Sequence, residues 1–326
     1  MNRYHRFRHL DREVLRLGFG CWQLGGESYV NGRPNGWGHT DEQEALRAIH
    51  AALDADISFF DTAVAYGDGR SEELLGKALK AASDGASAVI CTKFGPVIND
   101  AEKTAMDFSS ENLLRSFDAS LKRLGRDHID ILLLHNPPDD FDWRNYDSSP
   151  FEQLVRAGKL RAYGASCRSI RGVHNLLESN FGTVVEWVFN LFERRPLNEI
   201  FPKLESAGYD FIARSPFASG FLTSQSLGSF KEFSATDYRS TLPTEFVEWY
   251  RQSLNRLREL DDRPGGLTTT ALRFCLSFNE VAVAIPGLRK TSHVYNCLES
   301  LDAGPLDEST IKLVNREIEI AFPGWC

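Results

Sequence analysis

The chain has no run of 18 consecutive apolar residues, so nothing in it reads as a membrane-spanning helix. It also has no Cys-x-x-Cys pair. Its six cysteines, Cys21, Cys91, Cys167, Cys275, Cys297 and Cys326, are irregularly spaced. That excludes zinc-site patterns and points to no bound metal. Reduced thiols of a cytoplasmic protein are the expectation. Positive charge is not in excess: 37 Lys and Arg face 45 Asp and Glu, a formal net charge of −8. Nucleic acid and anionic membranes need a basic field, so neither is expected as a partner. Residues Met1–Leu17 alternate charged and apolar side chains and lack the apolar core of a secretory signal. No linker rich in Pro, Ser or Gly, no low-complexity tract and no short repeat divides the 326 residues. One domain over residues 1–326 is therefore expected; an oligomeric state is not legible.

What is present is ordinary globular composition, 42% hydrophobic and 25% charged. A chain of this length buries about three-quarters of its unfolded surface and needs no staple to fold. Eight short apolar runs recur: Leu15–Gly20, Ile57–Phe60, Ala88–Thr92, Ile129–Leu134, Ala162–Ala165, Val184–Val188, Phe211–Ala213 and Val281–Ile285. Such runs suit parallel strands covered on both faces. Helical patterns lie between them. Asp41–Asp54 spaces Ala45, Leu46, Ile49 and Leu53 on one face, and Ser109–Leu124 does the same with Leu113, Leu114, Phe117 and Leu121. Ser71–Leu79 opens with Ser71 as N-cap before Glu72 and Glu73. Two more helices are expected near Thr291–Leu301 and Asp307–Ala321. Strand–helix alternation gives the α/β class. The glycines after the first run (Gly18, Gly20, Gly25, Gly26) do not match the dinucleotide fingerprint. Eight strands therefore favour a closed (β/α)8 TIM barrel over an open doubly wound sheet.

In such a barrel the chemistry gathers where strands end. Asp61, Lys93 and His135 each follow an apolar run, and Tyr66 sits five residues beyond Asp61 in a glycine-bearing loop. An ammonium near a phenol favours phenolate, which predicts that Lys93 tunes Tyr66 into a proton donor or acceptor near neutral pH. Asp61 would hold Lys93 charged, and His135 would orient a substrate oxygen. That is apparatus for protonating a carbonyl as a hydride arrives, and a hydride requires a cofactor.

At these residues the sequence resembles the aldo-keto reductase family. Phe60-Asp61-Thr62-Ala63 with Tyr66-Gly67 and Ser71-Glu72-Glu73-Leu74-Leu75-Gly76 resembles one family signature. Leu121-Lys122-Arg123-Leu124 followed by Asp130-Ile131-Leu132-Leu133-Leu134-His135 resembles a second. The segments Gly158–Ser166, Ser215-Pro216 with Gly220-Phe221-Leu222, and Ile285-Pro286-Gly287 with Arg289 extend the likeness over nearly the whole chain. The resemblance implies a barrel closed below by an N-terminal hairpin, here expected within Phe7–Leu15, with two extra C-terminal helices. It implies reduction of a carbonyl by NAD(P)H, with Tyr66 as general acid, Lys93 and Asp61 tuning it, and His135 orienting the substrate.

The resemblance also implies the cofactor-facing positions. They are Gly20, Trp22, Asp61, Ser166, Cys167, Glu186, Arg214, Ser215, Pro216, Phe217, Gly220, Leu222, Ile285, Pro286, Gly287, Arg289, His293 and Cys297. Five depart from the family pattern: Cys167 replaces Asn, Glu186 replaces Gln, Arg214 replaces an aromatic residue, and His293 and Cys297 stand where Gln and Asn are common. Arg289 and Lys290 suit a 2′-phosphate, which favours NADPH (NADP+) over NADH. For a small-molecule carbonyl substrate, Trp22, Trp37 and Trp143 are the candidate pocket walls beside Tyr66 and His135. Two other readings remain at this point. One is a redox-neutral enzyme that retains NADP(H); the other is a non-enzymatic nucleotide-binding regulatory subunit.

Overall fold

The computed structural model describes residues 2–98, 104–228 and 233–318; Cys326 and the end of the helix expected to reach Ala321 lie outside them. Eight parallel strands form one sheet in chain order. They are β1 Phe19–Gly20, β2 Phe59–Asp61, β3 Val89–Phe94, β4 Ile129–His135, β5 Leu160–Ser166, β6 Val184–Val188, β7 Asp210–Arg214 and β8 Val281–Ile285. Parallel bridges Leu17–Ala284 and Gly20–Gly287 join the first strand to the eighth and close the barrel.

Several strands run one or two residues further than their apolar runs. Asp61, Lys93, His135, Ser166 and Arg214 lie within strands, at or next to their C-terminal ends. Apolarity alone trims these residues, because a side chain facing the barrel mouth is polar while its backbone stays in the ladder. Leu15 belongs to the hairpin and not to β1.

Ten helices matter for the frame. They are α1 Glu42–Asp54, α2 Arg70–Ala81, α3 Ser110–Leu124, α4 Ser149–Arg156, α5 Ile170–Ser179, α6 Phe201–Ala207, α7 Thr244–Arg256, α8 Gly266–Leu276, α9 Thr291–Asp302 and α10 Glu308–Glu317. Sequence sets their ends. Ser109 Oγ accepts from Asn112 N at the start of α3, and Gly125 ends it in left-handed backbone. Leu113 and Phe117 of α3 are buried, while Leu114 is exposed, so the buried stripe is narrower than the leucine pattern suggests. Ser71 is not the cap of α2. The helix begins a residue earlier, after Gly69. The Ser71 hydroxyl instead donates to Cys21 O at 2.9 Å and pairs with the Thr62 hydroxyl at 2.9 Å. Glu72 is fully buried, and accepts from Thr92 Oγ1 at 2.6 Å and Arg123 Nε at 2.7 Å. It thus ties α2 to β3 and α3.

Two apolar cores follow from strand alternation. One lies between strands and helices. The other fills the barrel with Phe59, Val89, Cys91, Ile131, Leu133, Ala162, Val184, Ile212, Val283 and Ile285. The hairpin caps it from below, with strands Tyr4–Arg6 and Glu13–Leu15. Its first strand precedes Phe7, the expected start. Phe7 sits in the connection instead, its ring stacked on Phe59 at 5.4 Å. No helix among the described residues is long and apolar enough to cross a membrane.

Candidate active site

Alternation in the barrel lifts one polar layer above the apolar plug. Cys91 points inward, so Lys93, two residues on, points inward one layer higher. By the same rule Asp61 follows Phe59, His135 follows Leu133, Glu186 follows Val184 and Arg214 follows Ile212. Tyr66 is brought in by its loop. Gly67 has φ +63°, and a Cβ there would lie 2.3 Å from Gly25 O. Only glycine permits this crossing of the β1 and β2 loops, which fixes the backbone beside Tyr66.

Lys93 is fully buried and Asp61 nearly so. The ammonium donates to the Asp61 carboxylate, and to Thr62 O at 3.1 Å. It also lies 3.3 Å from Glu186 Oε2. Two acids hold Lys93 protonated far above its ordinary range, despite the opposing cost of burial. Burial, then the Glu186 carboxylate, push the Asp61 carboxyl upward against the pull of Lys93. The donor atoms of Asp61, Cys91 and Glu186 lie within 4.8 Å of one another, and the Lys93 ammonium is the cation beside both carboxyls.

Lys93 Nζ stands 5.4 Å from the centre of the Tyr66 ring. The His135 ring meets Tyr66 edge-on at 5.7 Å. Desolvation raises the Tyr66 phenol above its usual value, with Lys93 the largest opposing influence. Burial therefore outweighs the ammonium. The Tyr66 phenol is thereby held protonated at neutral pH. His135 is held neutral, its pKa lowered to about 3 by burial and by the charges of Lys93 and Arg214.

Trp22 stacks on Tyr66 at 6.0 Å and meets Trp37 edge-on at 5.5 Å. These two form an aromatic wall. Trp143 does not join it. Its ring lies against Phe141 and Phe181, in an aromatic cluster on the outer side of the barrel with Tyr146, Phe151 and Tyr163. The loop that bears it is tied to α5, where Asn175 Nδ2 donates to Asp139 O at 2.7 Å.

The positions assigned to cofactor contact divide in the same way. Ser166 and Arg214 face the mouth. Gly20, Pro286 and Gly287 meet where the barrel closes, with Gly20 N donating to Pro286 O at 2.8 Å. Ser215, Phe217 and Gly220 lie in the loop after β7. Ser215 and Gly220 have φ +57° and +87° there, with Ala218 and Ser219 also left-handed. Pro216 is buried in that loop. Arg289 and His293 are half-buried on the approach to α9 and in its first turn. Cys167, Leu222 and Cys297 are instead buried in the outer core, and Ile285 is buried in the inner one. For Cys167 the reason is alternation: its side chain follows inward-facing Ser166 and so points out. Only its carbonyl reaches the mouth, accepting from Arg214 at 3.2 Å. Cys297 lies on the inward face of α9.

Sequence reasoning missed Gln23, Tyr238 and Arg239. Residues 233–241 lie against the β1 loop. Tyr238 N donates to Gly36 O at 2.8 Å, and the Tyr238 ring packs on Trp22 at 4.7 Å. Arg239 sits between Trp37 and Phe233, paired with Asp237, and donates to Ser219 O at 3.2 Å. No local pattern marks that segment. Its placement depends on pairing with residues two hundred positions earlier.

Five buried polar atoms around this mouth have no hydrogen-bond partner: Gln23 Oε1, Trp37 Nε1, His135 Nδ1, Glu186 Oε2 and Arg214 Nε. Such groups ordinarily find partners, and their convergence fits a polar ligand lying across the rim. Arg289 adds a half-desolvated guanidinium whose proton affinity is lowered by burial, then by Arg239. A partly buried guanidinium of this kind fits a phosphate.

Comparison with known proteins gives a consistent picture. The model of the Aldo/keto reductase family matches residues 16–319. The chain is 28% identical to the aldo-keto reductase YhdN of Bacillus subtilis, covering 94% of this chain and 91% of that one. Among solved structures, it is similar to the holo form of the aldo-keto reductase AKR11C1 from Bacillus halodurans. That likeness has a TM-score of 0.79 and 26% identity over 100% of this chain and 99% of the other. The glycerol dehydrogenase AKR11B4 from Gluconobacter oxydans gives a TM-score of 0.78 and 27% identity, covering 98% of each chain.

Proposed function

Because the chain belongs to the aldo/keto reductase family of NAD(P)H-dependent oxidoreductases, we propose that it reduces an aldehyde or ketone to the alcohol with NADPH, and that Tyr66 donates the proton. The observation that carries this reading is the fully buried Lys93–Asp61 ion pair placed beside Tyr66 and His135 at the C-terminal mouth of the barrel. A charge taken out of water at this cost is retained where its field has a use.

When bound, the reduced nicotinamide supplies the hydride that no side chain can. The chain's own residues do the rest. Neutral His135 orients the carbonyl oxygen within reach of Tyr66. The Tyr66 hydroxyl gives its proton as charge develops on that oxygen, and the Lys93 ammonium stabilises the phenolate left behind. Asp61 keeps Lys93 charged and in place. Trp22 and Trp37 exclude water from one side, which strengthens each of these interactions. Ser166 and Arg214 offer polar contacts to the nicotinamide end, and Arg289 with Lys290 a cationic seat for the 2′-phosphate. A reducing compartment such as the cytoplasm suits the five described cysteines, all buried and unpaired.

The test is a fluorescence titration of the purified protein with NADPH and NADH, followed by a carbonyl screen read by loss of reduced cofactor. NADPH is expected to bind more tightly. Arg289→Ala should weaken NADPH about tenfold or more, the worth of one charge-assisted hydrogen bond, and leave NADH unchanged. Absence of binding by either cofactor, with no turnover of any carbonyl, would overturn the reading.

A further inference from the structure

Glu186 is the least expected side chain in the site. It sits in β6, 1% exposed, where the family resemblance leads one to expect neutral Gln. Its Oε1 accepts from Ser166 Oγ at 2.9 Å. Its Oε2 makes no aligned hydrogen bond but stands 3.3 Å from Lys93 Nζ. The Asp61 carboxyl reaches the same ammonium from β2. A single buried cation is thus shared by two acids, from strands on opposite sides of the barrel.

Resting on the function proposed above, we propose that Glu186 is a positioning residue for the reaction: it shares the Lys93 ammonium with Asp61, weakens that ammonium's pull on the Tyr66 phenol, and biases the site towards giving a proton, the reductive direction. The argument is one of charge. Around Tyr66 stand Asp61 from β2, Lys93 from β3, His135 from β4, Glu186 from β6 and Arg214 from β7, and near the Lys93–Asp61 pair lie the thiols of Cys91 from β3 and Cys21 from the β1 loop. Burial keeps both thiols and the imidazole neutral. The charged set is therefore Lys93 and Arg214 against Asp61 and Glu186. With Gln at 186 the set would carry one net positive charge, and a phenol in that field gives up its proton more readily. With Glu the set is balanced. Burial holds the phenol protonated through neutral pH, and the carboxylate 3.3 Å from Lys93 Nζ is the charge that Gln would remove. In reduction the proton passes from the Tyr66 hydroxyl to the carbonyl oxygen. In oxidation the Tyr66 phenolate must take it from the alcohol, and a site that holds the phenol protonated is a poor base.

The test compares wild type with Glu186→Gln and Glu186→Asp in the intact protein. The first readout is the pH profile of alcohol oxidation with NADP+, whose rising limb follows the Tyr66 phenolate. Glu186→Gln, which removes the charge and keeps the shape, should move that limb about one unit to lower pH, roughly tenfold in phenolate fraction. Glu186→Asp, which keeps the charge, should leave it within a few tenths of a unit. The second readout needs no turnover. An ultraviolet difference titration of each protein against the same protein carrying Tyr66→Phe isolates one phenol and should show the same shift. If Glu186→Gln does not fold, Glu186→Met removes the same charge at similar volume. A limb and a phenol transition that stay at the wild-type pH in the uncharged variant overturn the proposal. If no alcohol or carbonyl is turned over, the reductase reading fails, and the phenol titration still decides the role of Glu186.

Discussion

At the scale of single residues, the site is governed by burial competing with charge. Tyr66 shows burial winning over a nearby ammonium, and Lys93 shows two acids winning over burial. His135 shows burial and two cations acting in the same direction. This last case has a consequence for stability. The imidazole's pKa falls from 6.5 to about 3 on folding, so the unfolded chain binds the proton first as pH drops. Stability linked to His135 is present above about pH 6.5 and is lost progressively as pH falls towards 3. His135→Gln should therefore lose less melting temperature than wild type between about pH 7 and about pH 5. Equal losses in the two proteins would contradict the assignment. That Asp61, Tyr66, Lys93 and His135 meet at one rim was legible in the sequence, because each follows an apolar run or lies in the loop just beyond one. The balance of forces on Tyr66 was not. A sequence shows which charges are near a phenol, but not how much water is removed from around it.

At the scale of elements, the strands were legible as apolar runs, and their polar ends were lost for the same reason. Asp61, Lys93 and His135 look like residues after a strand because a barrel strand turns polar where it meets the mouth. The hairpin illustrates a second limit. Phe7 is expected to open the hairpin, yet the structure uses it in the connection as the plug that closes the barrel floor against Phe59. Phe7 is 1% exposed, so Phe7→Ala should cost about 3–5 kcal/mol, the usual loss for a buried phenylalanine. Chemical denaturation measures this. A loss below about 1 kcal/mol would mean that the hairpin does not support the barrel. Cys167 and Cys297 show a third limit. Matched to a motif, they look like ligand contacts, but the period of a strand and the face of a helix turn both side chains into the outer core.

At the scale of the whole molecule, eight alternating units made the closed barrel readable, since an even succession of buried parallel strands has few other solutions. What could not be read is what crosses the mouth. The segment carrying Asp237, Tyr238 and Arg239 is placed by contacts with Gly36 and Trp37, and such long-range pairing leaves no local signature. The barrel thus brings together a carboxyl from β2, an ammonium from β3 and a neutral imidazole from β4 around one phenol. The claim that this assembly protonates a carbonyl is tested most directly by Tyr66→Phe, assayed for NADPH binding and for carbonyl reduction side by side. Binding should be unchanged within about twofold, and turnover should fall by about 100-fold or more, the range of a lost general acid. Full turnover in that variant, with NADPH still bound, would contradict the account.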